Sequence, residues 1–179
     1  TVLLDAGANA ECQAPWLVQF AQMGAVFARE RYGIAEPRVG LLSIGEESSK
    51  GNPLVKDTHT LLSDPRALRR AGARFVGNVE GRDIMTDEVD VIVTDGFTGN
   101  VALKTLEGGM RTLVRSVLDA LGATSVADEA VASLLPLYAT LDPDQTGGAM
   151  LLGVDGVCII SHGSSSATAI VNAVRVAKE

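Results

Sequence analysis

Short apolar runs alternate with longer segments of helical periodicity along the chain. Residues 2–4, 39–44 and 89–93 have the composition of buried strands, a further strand begins at Phe75, and residues 157–160 predict a last one. Nearly continuous apolar strands separated by helical segments are typical of a parallel sheet that is covered on both faces. The pattern therefore predicts an α/β fold.

Several stretches between the strands repeat apolar positions at three- and four-residue spacing, as amphipathic helices do. The predicted helices are residues 14–32, 53–71, 101–121, 128–141 and 167–177. Pro136 predicts a break in the fourth of them. No repeat or low-complexity linker divides the chain, so we predict a single α/β domain over residues 1–179. Thr1 leads directly into a strand without an initiator methionine, and we therefore expect this domain to be a fragment of a longer protein.

Composition narrows the classes of partner. The chain has 15 Lys and Arg against 22 Asp and Glu, a net charge of −7, which argues against binding to nucleic acid. No apolar run reaches the roughly 18 residues that span a bilayer, and no leader is evident, so we expect neither secretion nor a transmembrane helix. Cys12 and Cys158 lack the spacing of a metal site and are predicted to be reduced core thiols of a cytoplasmic protein.

Four predicted strands end in polar, glycine-rich loops. Because the carboxyl ends of parallel strands meet at one sheet edge, we expect these loops to form one crevice. The loops at Asp95–Asn100 and 162–165 also precede helices, whose free N–H groups favour an anion such as phosphate. An alternative is that Asn100 and Ser165 are only helix N-caps. The candidate substrate-binding residues are Asp5, Asn9, Gly45, Glu46, Gly51, Asn52, Asp95, Gly96, Thr98, Gly99, Gly163, Ser164 and Ser165.

Two side chains in these loops have the chemistry of catalysis. Lys50 is the only cation of its loop and could neutralise a phosphate or a developing oxyanion. The alternative is a solvated lysine paired with Glu46 or Glu47. His162 follows an apolar run and could act as a general acid or base, or donate to an anion. A structural histidine that bonds the backbone is the alternative for this position.

The sequence lacks the motifs of several large enzyme classes. It has no P-loop, no GxGxxG, no GxSxG and no HExxH. A calcium-loop-like start at Asp142 is followed by Gly153 at the twelfth position, where such loops need glutamate. We therefore expect no calcium site at this loop.

Taken together, the loops resemble the PlsX family of phosphate acyltransferases from end to end of the chain. The matching segments are LLDAGAN at 3–9, GLLSIGEE at 40–47, KGN at 50–52, FVGNVEGRD at 75–83, TDGFTGNV at 94–101, LKT at 103–105, GGA at 147–149, LLG at 151–153 and HGSS at 162–165. The resemblance implies a Rossmann-like three-layer αβα fold similar to the phosphotransacetylase and isocitrate dehydrogenase group. It also implies that this chain is the C-terminal portion of a longer enzyme, with Lys50 and Asn100 in its active site.

The activity implied by this resemblance is transfer of a long-chain fatty acyl group from acyl carrier protein to inorganic phosphate, which gives acyl phosphate for phospholipid synthesis. The resemblance further implies a cytoplasmic homodimer that is attached peripherally to the inner face of the membrane. Lys50 and Asn100 would hold phosphate or the oxyanion, and His162 would support them. Because positioning and charge stabilisation suffice for this implied reaction, we expect no metal and no organic cofactor. Two alternatives stay open. One is a phosphate acetyl- or butyryltransferase that uses coenzyme A thioesters, and the other is a non-catalytic dimerisation and membrane-docking fragment.

Two surfaces are predicted to contact partners. The apolar helical region 103–141 has more apolar positions than one buried face needs, so we expect it to supply a dimer contact and the membrane-facing surface. Plain core packing is the alternative. Acyl carrier protein is acidic, and the densest basic cluster is Arg66, Arg69, Arg70 and Arg74. We predict that this cluster docks the carrier, the alternative being a solvated helix face.

Overall fold

The computed structural model describes residues 1–122, 131–134, 147–161 and 165–178. Two compact units divide the chain, Thr1–Thr105 and Leu106–Glu179. The first contains a four-stranded sheet and the second a two-stranded one. The single domain expected over residues 1–179 stays a prediction.

The elements follow the predicted alternation of strands and helices. In chain order the structure has β1 (Val2–Leu4), α1 (Ala14–Tyr32), β2 (Arg38–Leu42), α2 (Pro53–Leu62), β3 (Arg74–Val79), β4 (Val91–Val93), α3 (Gly96–Gly122), β5 (Ala149–Met150), β6 (Ile159–Ile160) and α4 (Ala167–Lys178). Short 3-10 helices lie at Arg69–Ala71 and Gly81–Met85. Residues 131–134 are helical.

The sheet of the first unit is entirely parallel, in the order β1-β4-β2-β3. Its central strand β4 is buried at all three positions, because β1 and β2 flank it and both of its faces are covered by apolar side chains. Helices α1 and α2 pack on one face, where Leu17 and Leu62 meet Val39 and Val93 in the larger core cluster. The predicted α/β fold with a mainly parallel sheet is confirmed.

The predicted helix 53–71 is wrong beyond Leu62. Pro65 has no amide hydrogen and disfavours helical backbone in the residue before it, so the helix cannot pass through this point. Side chains of α1 satisfy the carbonyl groups of the diverted segment: Gln22 donates to Ala67 at 2.8 Å, and Arg29 donates to Ala71 at 2.7 Å. These contacts hold the segment against the core as a turn followed by a 3-10 helix.

The predicted last strand, 157–160, is shorter than expected and lies outside the parallel sheet. Only Ile159–Ile160 is extended, and it pairs antiparallel with Ala149–Met150 in the second unit. It is therefore not a strand of the parallel sheet. The connection between these two strands contains Gly153 and Gly156 at positive φ, which lets the chain turn back beside Ala149–Met150.

The predicted helix 128–141 lies outside the described residues except for positions 131–134, which are helical. No helix of the described residues is both long and apolar enough to cross a membrane. Helix α3 reaches 27 residues, but Lys104, Glu107, Arg111, Arg115 and Asp119 are distributed along it.

Candidate functional site

Three of the four predicted loops leave the same edge of the first unit's sheet. They follow β1, β4 and β2, which are neighbouring parallel strands, and their residues are Asp5–Asn9, Asp95–Asn100 and Gly45–Asn52. The predicted loop at 95–100 is shorter in the structure, because α3 already begins at Gly96. The fourth loop follows β6, so the expectation that it leaves a strand of the same sheet was wrong. His162, Gly163 and Ser164 lie outside the described residues, and Ser165 is half-buried in the second unit.

The carboxylate of Asp5 organises the loop that follows β1. Asp5 is buried, and its two oxygens accept hydrogen bonds from the backbone amides of Gly7, Ala8 and Asn9 and from the Asn9 side chain, at 2.7–2.9 Å. These four donors fill the acceptor positions of a carboxylate. Asp5 and Asn9 therefore fix the shape of the loop together.

Helix α3 begins on an aspartate cap. The backbone amide of Thr98 donates to Asp95 Oδ1 at 2.8 Å, and the Thr98 hydroxyl donates to Oδ2 at 2.7 Å. The corresponding cap of α4 is Ser166, whose hydroxyl accepts from the amide of Ala169 at 3.2 Å. The alternative that Asn100 and Ser165 are the N-caps of these helices is therefore wrong.

The first turns of α3 lie against the loop after β1. Asn100 Nδ2 donates to the Ala6 carbonyl oxygen at 3.1 Å, and the Gly96 amide donates to the Asn9 carbonyl oxygen at 2.9 Å. A Cβ on Gly99 would overlap the Asp5 carbonyl oxygen, so only glycine allows this approach. The two loops form one continuous surface, on which the Asn100 side chain is half-buried.

Lys50 presents an exposed cation in the loop after β2. Its ammonium makes no ion pair with residues in the described ranges, and Glu46 pairs instead with Arg82 at 3.2 Å. The pairing of Lys50 with Glu46 or Glu47 is therefore wrong, whereas the exposed side chain agrees with the solvated lysine of that alternative. A Cβ on Gly45 would lie 3.0 Å from Lys50 Cγ, so the aliphatic part of Lys50 packs closely over the bare Gly45 backbone.

The end of this loop is organised by the start of α2. Asn52 caps the helix by accepting a hydrogen bond from the Val55 amide at 2.9 Å. Pro53 occupies the first helical position, where its missing N–H costs nothing. Gly51 precedes them with a φ of 94°, a conformation that side chains disfavour. Gly51 and Asn52 therefore define where the loop ends.

Two residues near this loop were not identified as functional from the sequence. Asn78, at the end of β3, is buried and donates to the Glu47 carbonyl oxygen at 2.9 Å. Arg82 reaches Glu46 from the 3-10 helix after β3. Both belong to the segment FVGNVEGRD, whose density of polar residues directly after a strand was the available signal.

Cys12 also lies beside the site. Its thiol donates to the Asn9 carbonyl oxygen at 3.3 Å, and burial raises the pKa of this thiol above its ordinary value. The thiol is therefore protonated near neutral pH, and a protonated thiol is a poor nucleophile.

The chain is similar to known proteins over nearly its whole length. A phosphate acyltransferase of Elusimicrobium minutum is 50% identical over 181 residues, which cover 99% of this chain and 51% of that protein. One of Thermus thermophilus is 50% identical over 186 residues, covering 99% and 54%. Among solved structures, the EutD phosphotransacetylase from Staphylococcus aureus matches 60% of this chain and 38% of its own, at 17% identity and a TM-score of 0.46.

The chain spans about half the length of the curated relatives that it matches. The similarity to phosphate acyltransferases confirms the family resemblance that the loop motifs indicated. Residues 1–179 match the family described as fatty acid synthesis protein. Because that match covers the whole sequence, the chain belongs to the family of fatty acid synthesis proteins.

Proposed function

We propose that the protein containing this chain transfers a fatty acyl group from a thioester to inorganic phosphate. The observation that carries the proposal is the pair Lys50 and Asn100. Lys50 is an exposed cation in the loop after β2, and Asn100 is a half-buried amide near the start of α3, which follows the neighbouring strand β4. Relatives named phosphate acyltransferase, about half of whose length aligns with this chain, support it. That the two side chains face one shared crevice is itself part of the proposal.

Phosphate binding is assigned to Lys50 and Asn100. Lys50 supplies a positive charge to a dianionic ligand, and its packed aliphatic stem limits the loss of side-chain entropy on binding. The Asn100 amide has two N–H donors, of which one bonds Ala6, and the second is directed to an anion oxygen. The positive end of the α3 dipole is already capped by Asp95, so it contributes less to the anion than a free helix end would.

The reaction needs positioning and charge stabilisation. An oxygen of phosphate attacks the thioester carbonyl carbon, and the carbonyl oxygen becomes a tetrahedral oxyanion. Collapse of this intermediate breaks the C–S bond and releases the thiolate, leaving acyl phosphate. Lys50 and the Asn100 amide stabilise the developing negative charge. The protonated Cys12 thiol agrees with direct attack rather than a covalent enzyme intermediate. His162 is proposed to support the site.

A long acyl chain is favoured over acetyl or butyryl groups by exposed apolar side chains in the same loops. Ile44 is 83% exposed in the loop after β2, and Phe97 is 66% exposed in the first turn of α3. Exposed apolar groups beside a polar site are typical of ligand or partner contacts. These residues are proposed to contact the hydrocarbon part of the acyl donor.

Acyl carrier protein is proposed as the donor, with a smaller docking patch than the sequence indicated. Arg66 is engaged by Asp64 at 2.7 Å and Arg74 lies 3.7 Å from Glu36, so these two are partly neutralised. Arg69 and Arg70 are exposed on the 3-10 helix and make no ion pair within the described part of the chain. The docking patch is therefore assigned to Arg69 and Arg70.

A homodimer and peripheral attachment to the inner membrane surface are also proposed. Helix α3 has no buried residue beyond Gly99, and Leu113 and Val117 are 59% and 39% exposed. Such an apolar stripe is suited to a second subunit or to the lipid interface. The remainder of the predicted contact region, 123–130 and 135–141, lies outside the described residues. A non-catalytic docking fragment would have this surface without an active Lys50 site.

The deciding experiment supplies the complete gene product with phosphate and three donors: a long-chain acyl group on acyl carrier protein, the same acyl group on coenzyme A, and butyryl-coenzyme A. Formation of acyl phosphate is followed as hydroxamate. The proposal expects phosphate-dependent release of the carrier thiol with the carrier donor preferred. Preference for short coenzyme A thioesters would support the alternative transferase, and no acyl phosphate from any donor would support the docking fragment.

A further inference from the structure

The loop after β2 is attached to β3 through one buried side chain. Asn78 is 5% exposed, and its Nδ2 donates to the Glu47 carbonyl oxygen at 2.9 Å. The same oxygen accepts the backbone amide of Lys50 at 2.9 Å. Since a carbonyl oxygen has two lone pairs, both are occupied, and the turn from Glu47 to Lys50 is fixed to the sheet.

We propose that Asn78 is a positioning residue for Lys50, an inference that rests on the role proposed for Lys50 above. Asn78 acts through the Glu47 carbonyl group and has no assigned contact with substrate. Its bond sets the turn from which the Lys50 side chain extends over Gly45. A misplacement of a catalytic group by about 1 Å lowers turnover by roughly a hundredfold.

A second attachment of the loop is weaker. Arg82 lies 3.2 Å from Glu46, but both side chains are 68% exposed. The same guanidinium also pairs with Glu80 at 3.1 Å. Exposed ion pairs are screened by water and salt and contribute little to structure. The buried Asn78 bond is therefore the principal one that holds the turn.

The side-chain oxygen of Asn78 supports a role for this residue beyond stability. Its Oδ1 is buried and has no hydrogen-bond partner in the described ranges. A buried acceptor without a partner lowers stability, so an apolar residue of similar size would serve the core at least as well. The feature that only the amide provides is the N–H donor to Glu47. Residues that reduce local stability in this way are expected at functional positions.

The test compares Asn78→Ala with Thr58→Val in the complete gene product. Thr58 is also buried, and among the described residues its hydroxyl has no hydrogen-bond partner, in the loop or elsewhere. For Asn78→Ala we expect kcat for acyl transfer to fall about 10- to 100-fold with a nearly unchanged thermal midpoint. Hydrogen exchange at the Lys50 amide should accelerate, because its acceptor is no longer held. Thr58→Val should change neither quantity.

Asn78→Asp provides a second readout that does not depend on activity. At neutral pH the introduced carboxylate faces the Glu47 carbonyl oxygen without a donor, and the loop should exchange rapidly. Protonation of the carboxyl at acidic pH restores an O–H donor, so protection of the Lys50 amide, corrected for intrinsic rates, should recover. If protection of the Lys50 amide in Asn78→Asp does not recover at acidic pH, the proposal is overturned. This test holds even if Asn78→Ala folds poorly.

The outcomes separate this inference from the proposed function. An unchanged kcat in Asn78→Ala, beside an inactive Lys50→Ala, would overturn the positioning role and leave the function intact. A loss of turnover explained wholly by a smaller folded fraction, with unchanged loop exchange, would overturn it too. A fully active Lys50→Ala would overturn both.

Discussion

Asn100 Nδ2 donates to the carbonyl oxygen of Ala6 at 3.1 Å, and this bond joins the start of α3 to the loop after β1 across 94 residues of sequence. It leaves one N–H of the amide for a ligand. Asn100→Asp removes both donors and adds a negative charge where phosphate is proposed to bind. We expect a higher KM for phosphate and a kcat reduced by about 100-fold in steady-state assays of the complete gene product.

The control for this variant is Thr60→Ala on α2. The Thr60 hydroxyl is exposed and donates to the Lys56 carbonyl oxygen of its own helix. Its kinetic constants should equal those of the wild type. If Asn100→Asp binds phosphate as tightly as the wild type, the anion site is not at Asn100.

Two glycines of α3 should respond oppositely to the same substitution. Gly99→Ala forces a methyl group against the Asp5 carbonyl oxygen, and we expect it to lower the free energy of unfolding by about 1–3 kcal/mol. Gly109→Ala meets no atom within 4 Å and should raise it by about 0.5–1 kcal/mol, because alanine favours helix. Urea denaturation measures both. Equal effects would contradict the close approach of α3 to the loop after β1.

The pair of Asp90 and Arg38 should make stability depend on pH. Asp90 accepts from the Arg38 backbone amide at 2.8 Å and from its guanidinium at 2.9 and 3.0 Å, which ties β4 to β2. The hydrogen bonds from the Arg38 side chain lower the pKa of Asp90. At pH 7 we expect Asp90→Asn to lower the free energy of unfolding by about 1–3 kcal/mol.

A carboxyl group whose pKa is lower in the folded than in the unfolded chain stabilises the fold at pH values above its unfolded pKa of about 3.9. This stabilisation is lost as the pH falls through the pKa of the folded state. The difference between wild type and Asp90→Asn should therefore shrink below about pH 4 in urea titrations. Asp64→Asn is the matched control. In the wild type, hydrogen bonds with Arg66 lower the pKa of Asp64 to about 2, but this pair is exposed, so water screens the interaction. A difference for Asp90→Asn that grows in acid would contradict the pairing.

Replacement of Arg69 and Arg70 by glutamate tests carrier docking. We expect a higher KM for the acyl carrier protein thioester, a weaker dependence on salt, and an unchanged KM for phosphate. Arg66→Glu serves as the control, because Asp64 already engages that side chain. An unchanged KM at low ionic strength would place the docking surface elsewhere, most directly on α3.

The sequence predicted the elements whose boundaries depend on local signals. Helix α1 begins and ends as expected because Pro15 and Gly33 mark its ends, and β1 is an apolar run closed by Asp5. The extended α2 was a wrong prediction because Leu68 and Ala71 continue the apolar spacing, although they reach the core through a turn and a 3-10 helix. Apolar periodicity indicates which residues are buried. It does not distinguish a continuous helix from a turn followed by a 3-10 helix when both bury the same residues.

Site residues were predictable as motifs, whereas their contacts were not. The loops containing Lys50 and Asn100 were identified from their composition and resemblance. The bond from Asn78 to Glu47 spans 31 residues and that from Arg82 to Glu46 spans 36. Such contacts depend on the register between β2 and β3, which shifts between Val39 and Gly40, and no local pattern encodes that register.

The most direct test of the account is the turnover of Lys50→Ala in the complete gene product, with long-chain acyl carrier protein thioester and saturating phosphate. Lys56→Ala, which removes another exposed lysine, on α2, is the matched control. We predict that Lys50→Ala lowers kcat by on the order of a hundredfold, as removal of one oxyanion donor does, while Lys56→Ala retains wild-type turnover. Wild-type turnover in Lys50→Ala would contradict the assignment of the loop after β2 to the active site.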